Sequence, residues 1–425
     1  VSDTSLALDR ATSQGLAEGL SAARVARMAK AYDTFEATPM PHPKDEKWKY
    51  LEVTLDLSTI PLAHAHGTPL PAGDFLTALT DRAGTAVIVD GTVSEIDAPA
   101  PVIIERLSEL DDESHDRIVN LFEPGRDKFA AARAAFGTDG VRVRIPSGAE
   151  ITAPVVIDIQ STQVGASFPY VSIEAGANSG ASIVVLYRSG PGIDAVVSPQ
   201  IGLHAGEGAR IRFVGVQALD LAATGVVHQR AILGRDATVQ LGEVGLGGHL
   251  GRLDLIVDHI GDGSSSEVVG VFFGEHDQTL DYRMLLHHQG KRTTSNVLLK
   301  GAVEDQAQSV FVGLLKIDKD ATRTSAFETN RNLVLSEDAK AHSVPNLEIE
   351  CDDVICGHGS SVGPLEEEHR YYLMSRGIPS EKAEQMLVKG FFQEIIDRLP
   401  VSGLEGPIAD EVFGRFIAAQ KEGRV

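Results

Sequence analysis

Between residues 177 and 321 the chain keeps returning to the same kind of turn. The clusters ANSGA, GEGA, GRDA, GDGSS, GKRT and KDA end at Ala181, Ala209, Ala237, Ser265, Thr293 and Ala321, each 28 residues after the one before. A further cluster, VEDQA, ends at Ala307, half a period out of step. A fixed period of this size marks a solenoid, in which one repeat cannot bury its own apolar face and stacks on its neighbours instead. Short runs such as VRVRI, PVVIDIQ, YVSIEA, SIVVLYR, RIRFVGV, TVQLGEV and SVFVGLL lie among these turns and read as strands. The half-step implies two strand-and-turn units per coil. Equivalent strands of successive coils then run parallel, with Val, Leu and Ile stacked inward and Gly or Asp at corners that need positive φ. A β-sandwich also uses short alternating strands, but it gives no reason for the recurrence. The expected fold is therefore mainly β: a right-handed parallel β-helix over 139–362, flanked by an N-terminal α/β region, 1–138, and a C-terminal helical domain, 363–425.

The flanks read differently. Leu16, Leu20, Ala23, Met28, Ala31 and Phe35 recur near the helical period and predict one surface helix from about Ser13 to Phe35. Pro39, Pro41 and Pro43 then end it. TAVIVDGTV reads as extended, and DDESHDRIVNLF and DKFAAARAAF as helical. After Gly363 the strand pattern stops, and Ala383, Met386, Leu387, Phe391, Ile395 and Leu399 share one face of a helix expected to start at Ser380, with the Ser380 hydroxyl as its cap. Both ends of a solenoid need cover, because open strand edges template aggregation. The two flanking regions are expected to supply it.

Composition narrows the function. Sixty acidic against 38 basic side chains give a formal charge of -22, which repels phosphate backbones and anionic membrane surfaces. Nucleic acid and membrane are thus poor partners. Cys351 and Cys356 are the two cysteines, too few for a disulfide framework, and the opening VSDTSLALDR lacks a basic-then-apolar signal pattern. A reducing, cytoplasmic setting is expected.

The stretch from Arg331 to Phe392 resembles the C-terminal part of the SufD family, a component of the SUF iron-sulfur cluster assembly system. Asn332-Leu333 with Ser336, Pro345 with Leu347-Glu348-Ile349, Asp352-Asp353-Val354, Cys356-Gly357-His358-Gly359, Gly363, Tyr372-Leu373 and Arg376-Gly377-Ile378 carry the likeness. Glu46-Lys47-Trp48-Lys49-Tyr50 resembles the family's Glu-x-Trp-x-Tyr element, and FGTDGVRVRIPSGAEITAPVVI its entry into the β-helix. The paralogue SufB resembles this chain too. SufB-type chains, however, carry extra N-terminal cysteines and a His-Glu pair where this one reads Gly357-His358-Gly359, so the SufD side is favoured over a SufB-like, cluster-carrying reading.

The resemblance implies a role rather than a reaction: a non-catalytic scaffold that pairs with SufB through its β-helix and docks the ATPase SufC through its helical domain. ATP would sit on SufC alone, since this chain has no GxxxxGK[ST] loop. A homodimer is the alternative assembly when SufB is absent. A transient iron-sulfur cluster would form at the SufB interface, with Cys356 and His358 as candidate ligands, because thiolate sulfur and imidazole nitrogen both suit iron and residues two apart on a strand share a face. The bland reading makes Cys356 a small buried hydrophobe and His358 a turn residue. Cys351 reads as structural, Asp352 and Asp353 as turn or interface residues, and His249, His259, His276, His287 and His288 as solvated or coil-stacking. Arg376, Gly377, Ile378, Met386 and Phe391 mark the expected SufC-docking neighbourhood. The rival from another class is a β-helix polysaccharide lyase or hydrolase, which needs aromatic platforms for sugar, whereas the one tryptophan here, Trp48, lies outside the solenoid. A hexapeptide-repeat acyltransferase fits the 28-residue period still less.

Overall fold

A computed structural model of the chain describes residues 6–63 and 67–424, so the first five residues of the VSDTSLALDR opening lie outside the described residues. The centre is a parallel β-helix of eight coils, each with one strand in either of two facing sheets. The odd-numbered strands form one sheet: β1 (Gly140–Ile145), β3 (Tyr170–Ala175), β5 (Gln200–Ala205), β7 (Thr224–Leu233), β9 (Leu250–His259), β11 (Thr279–His288), β13 (Gln308–Ile317) and β15 (Lys340–Ile349). The even-numbered strands form the other: β2 (Val155–Ser161), β4 (Gly180–Ser189), β6 (Arg210–Ala218), β8 (Thr238–Gly245), β10 (Ser265–Gly274), β12 (Thr294–Val303), β14 (Thr324–Val334) and β16 (Val354–Gly363). Within each sheet every strand pairs in parallel with the strand one coil later.

The coil length is not fixed at 28. Arg210 lies beside Thr238, 28 residues on, but the step shrinks to 26 between Thr224 and Leu250 and grows to 32 between Gln308 and Lys340. What stays constant is the corner leading into the even strands. Asn178, Gly208, Asp236, Gly263, Arg292 and Arg323 all have φ between 52° and 73°, one per coil. Each backbone amide there donates to a carbonyl of the next coil, as from Asp236 to Asp262 and from Gly263 to Lys291. At Gly263 a Cβ would fall 2.2 Å from the Asp236 carboxylate, so that coil has to turn on glycine.

Inside, the ladders are columns of one residue per coil. Val143, Ile173, Leu203, Ala231, Val257, Leu286 and Leu315 make one such column on the odd sheet, and all are buried. On the even sheet Val155, Ile183, Phe213, Leu241, Val268 and Val297 make another. Histidine enters the ladder at His259 and His288, whose rings stack 4.3 Å apart, each held at both nitrogens by Ser or Thr hydroxyls. Burial holds both imidazoles below the usual range, His288 at about 4, so they are neutral, coil-stacking residues.

The N-terminal region extends both sheets past the first coil. Strand Ile103–Arg106 runs antiparallel to β1, and hairpin strand Gly84–Val89 runs parallel to β2, closing that end. The expected single helix is two, α1 (Arg10–Leu16) and α2 (Ala22–Ala37), because the chain turns at Gly19 with φ 81° and restarts on Ser21, whose hydroxyl caps α2. The short α3 (Asp74–Ala78), α4 (Asp112–Val119) and α5 (Lys128–Phe136) follow. Met28, Ala31, Tyr32 and Phe35 of α2 are buried, and most of that face packs on α5.

Past Gly363 come α6 (Glu367–Ser375), α7 (Ser380–Ile396) and α8 (Glu405–Glu422). Pro379, not Ser380, occupies the α7 cap position; the Ser380 hydroxyl accepts from the Arg370 guanidinium instead. The buried α7 face is Ala383, Val388, Phe392, Ile395 and Ile396. Of the expected face, Met386 is 45% exposed and Leu387 and Phe391 are half-buried. The helices also do not cover the open end. They pack on the outer side of the even sheet, where Phe392 meets Phe273 and Lys300 donates to the Phe391 carbonyl and pairs with Glu394. Among the described residues no helix is long and apolar enough to cross a membrane.

Candidate functional site

The last coil is where the molecule stops short. Among the described residues β15 and β16 end their sheets, each paired on one side only, by β13 and β14. Apolar side chains stand in solvent there: Ile355 at 68% exposure, with Val362, Leu347 and Ile349 also exposed, and Phe327 of the preceding coil exposed beside Gly357. In the interior columns Leu347 takes the next place after Leu315, so its exposure follows from the absence of a further coil. Pro345 in β15 lacks an amide donor and so suits an edge strand.

Cys356 and His358 both lie on β16 and share its inner face. Cys356 stands beside Ala326 and packs against the solenoid core, and burial raises its thiol above the usual range. His358 stands beside Glu328 on β14 and is exposed, since no coil lies beyond it. Cys351 is in the loop before β16, not on the strand, and is buried in the same core. Asp353 is a turn residue whose carbonyl accepts from Arg323.

The column from Val155 to Val297 ends on Glu328 and then His358. Glu328 is 1% exposed, yet neither carboxylate oxygen has a hydrogen-bond partner among the described residues, and burial pushes the group up to about 8. A Cβ on Gly313, across the lumen in β13, would meet both its oxygens within 2.2 Å. The side-chain amide nitrogen of Asn330 and the hydroxyls of Ser309 and Ser343 are likewise buried and without a partner among the described residues. Among the described residues no three His, Cys, Asp or Glu side chains gather closely enough to hold a metal ion by themselves.

Arg376, Gly377 and Ile378 form the turn between α6 and α7, with Gly377 at φ 86°. Around this turn Tyr371, Tyr372, Met374 and Met386 are all exposed, and α6 buries no residue. Phe391 is not part of that exposed patch: its ring packs edge-on to Phe392, with the Lys300 ammonium 4.8 Å from its centre.

Sequence reasoning missed two features. Glu328 falls in TSAFETNRN, where alternation alone does not say which residues face in. The Glu46–Tyr50 element, spotted only as a likeness, turns out to strap across the odd sheet. Arg252 donates to the Lys47 carbonyl and lies 3.9 Å over the Trp48 ring, Arg283 donates to the Glu46 and Lys49 carbonyls, and Tyr50 stacks on His342 of β15.

Comparison with known proteins agrees with this architecture. Residues 157–391 match the family model described as SUF system FeS cluster assembly, SufBD core domain. An iron-sulfur cluster assembly SufBD family protein of Mycobacterium leprae is 34% identical over 286 residues, covering 65% of this chain and 71% of that one. The iron-sulfur cluster assembly protein SufD of Bacillus subtilis is 31% identical over 283 residues, 65% of this chain and 64% of its own. The Escherichia coli protein of the same name is 33% identical over 189 residues, 44% and 45% of the two chains. With more than half its length inside the family model and an uncapped parallel β-helix as its core, the chain belongs to the SufBD family of SUF-system iron-sulfur cluster assembly proteins.

Proposed function

We propose that this chain is the SufD-type scaffold of a SUF assembly complex in the reducing cytosol: it pairs with a SufB-type β-helix through its last coil and docks a SufC-type ATPase at the α6–α7 turn. The observation that carries the reading is the uncapped coil, where two strand edges and four large apolar side chains lie in water. Such an edge is a liability in a monomer, and a second β-helix would satisfy it. The exposed Tyr371, Tyr372, Met374 and Met386 form a separate aromatic and thioether patch of the kind that anchors interfaces. On this reading the protein is architectural, nucleotide chemistry belongs to SufC, and the nascent cluster is cargo held at the SufB interface with Cys356 and His358 facing it. In isolation the same edges would pair two copies about a two-fold axis.

Two surface variants separate the contacts. In a co-expression pull-down with SufB and SufC, Ile355→Asp with Val362→Asp is expected to lose at least ten-fold in SufB recovery while SufC still binds. Tyr372→Asp with Met386→Asp is expected to do the reverse. Phe391 is a poorer probe, because its ring also holds α7 to the solenoid. Undiminished recovery of SufB with the first variant would refute the edge-pairing reading.

A further inference from the structure

Most of the lumen is lined by Val, Leu and Ile, but in its middle coils five glycines face inward: Gly215, Gly245 and Gly270 on the even sheet, Gly225 and Gly251 on the odd. Neighbouring coils fill the same columns with apolar side chains, as Val185 does beside Gly215, Leu299 beside Gly270 and Leu280 beside Gly251. The room so made is taken by polar groups. A Cβ on Gly215 would lie 2.9 Å from a Glu243 carboxyl oxygen, one on Gly225 would lie 3.1 Å from Gln217 Oε1, and one on Gly245 would collide with the Tyr282 hydroxyl. Tyr187 stands next to Gln217 in its column, and Gln229 reaches from the odd sheet to donate from Nε2 to Glu243.

Among the described residues three atoms of this group have no hydrogen-bond partner: the Tyr187 hydroxyl, Gln217 Oε1 and Gln229 Oε1. All three residues are more than nine-tenths buried. A buried polar atom left unpaired costs free energy that an apolar residue in the same column would not, and turning the Gln229 amide over only exchanges an orphan oxygen for an orphan nitrogen. Gln217 keeps 6% of its surface accessible, so a body the size of a water molecule reaches it. We infer that the middle of the β-helix is a binding site for a small cluster of water molecules, held by Tyr187, Gln217 and Gln229 and touching the Glu243 carboxyl. The orphan atoms select the ligand. Two are acceptors and the third is a hydroxyl, so whatever binds must donate more than one hydrogen bond, and the stacked strands on both sides admit only something small. Water meets both demands, since a buried water needs roughly two to four polar partners and this group offers them. The cluster also gives the Glu243 carboxyl a partner inside the fold besides Gln229. The site lies several coils from the open end and does not depend on the assembly reading above.

The test is a high-resolution crystal structure of the purified full chain, paired with deuterium relaxation dispersion of the solvent, which counts waters held longer than the protein takes to tumble. Wild type is compared with Tyr187→Phe and Gln217→Leu. The expected result is at least about two ordered waters within hydrogen-bond distance of the three atoms in wild type. Each variant should lose one of them, with a matching fall in dispersion amplitude. Direct bonds among Tyr187, Gln217, Gln229 and Glu243 with no water between them, or equal amplitudes in wild type and both variants, would overturn the site. Should Gln217→Leu not fold, Tyr187→Phe decides alone, because it removes one hydroxyl and keeps the ring: loss of a water supports the site, and an unaltered count refutes it.

Discussion

Arg252→Ala is expected to lower the stability of the chain by about 3 kcal/mol and to shift the emission of its one tryptophan toward that of a solvent-exposed indole. The Arg252 guanidinium is fully buried and pairs with Asp281, which is itself fully buried on β11. It also donates to the Lys47 carbonyl, so one side chain ties the strap to the solenoid across 205 residues of sequence. Removing it leaves the Asp281 carboxylate with Arg283 alone. That remaining partner keeps the expected cost at the lower end of the range for breaking a buried pair. Trp48 is 3% exposed, stacked against Phe129 on one side and Arg252 on the other, so its fluorescence reports directly on docking of the strap. Adding Asp281→Asn should restore part of the loss, as a coupled pair requires. Unchanged emission together with an unchanged melting temperature would mean that the strap is held by Trp48–Phe129 packing and that the ion pair is dispensable.

That strap shows what the sequence could and could not disclose. Trp48 was visible as part of a family-like element, but its anchor is far along the chain and on another kind of structure, and no local pattern links them. The coils were legible because a corner with positive φ selects Gly, Asn or Asp, and those residues recur. Their true spacing was not, because extra residues are absorbed at the corners, as between β13 and β15, without disturbing the stacked columns. In β14 a one-residue slip reverses the two faces. Phe327 is the residue that hydrophobicity would place inside, yet it is 43% exposed and Glu328 is buried. The same ambiguity misled the reading of α7, which is apolar on two sides: Val388 and Phe392 face the solenoid, and Met386 is left outside. The candidate cluster ligands were legible only through resemblance, since Cys356 and His358 on their own look like an ordinary strand and turn.

A second buried carboxyl, deeper in the lumen, gives the molecule a built-in sensitivity to alkali. Glu243 on β8 sits between Gly215 and Gly270 in its column, so glycines flank it on both neighbouring strands. It accepts from the Gln229 amide at 2.8 Å, and burial pushes its carboxyl from the ordinary 4.5 up to about 8. The folded protein therefore holds this proton where the unfolded chain has lost it. Stability from this group is fully present below pH 4.5, falls as the pH rises from there, and is exhausted once the pH passes about 8. At 1.36 kcal/mol per unit, the loss by pH 7 is on the order of 3 kcal/mol. Glu243→Gln keeps the shape and cannot ionise, so the variant should match wild type near pH 5 and exceed it by about 2–3 kcal/mol at pH 7 in urea unfolding. The acid limb has the opposite origin: His259 and His288 stay neutral in the fold while the unfolded chain takes up protons below its usual histidine range, so stability falls as the pH drops from about 6.5 toward 4 in both proteins. A constant offset between the two proteins at every pH would show that Glu243 matters only for packing, because a difference that grows with pH is the signature of a proton held by the fold.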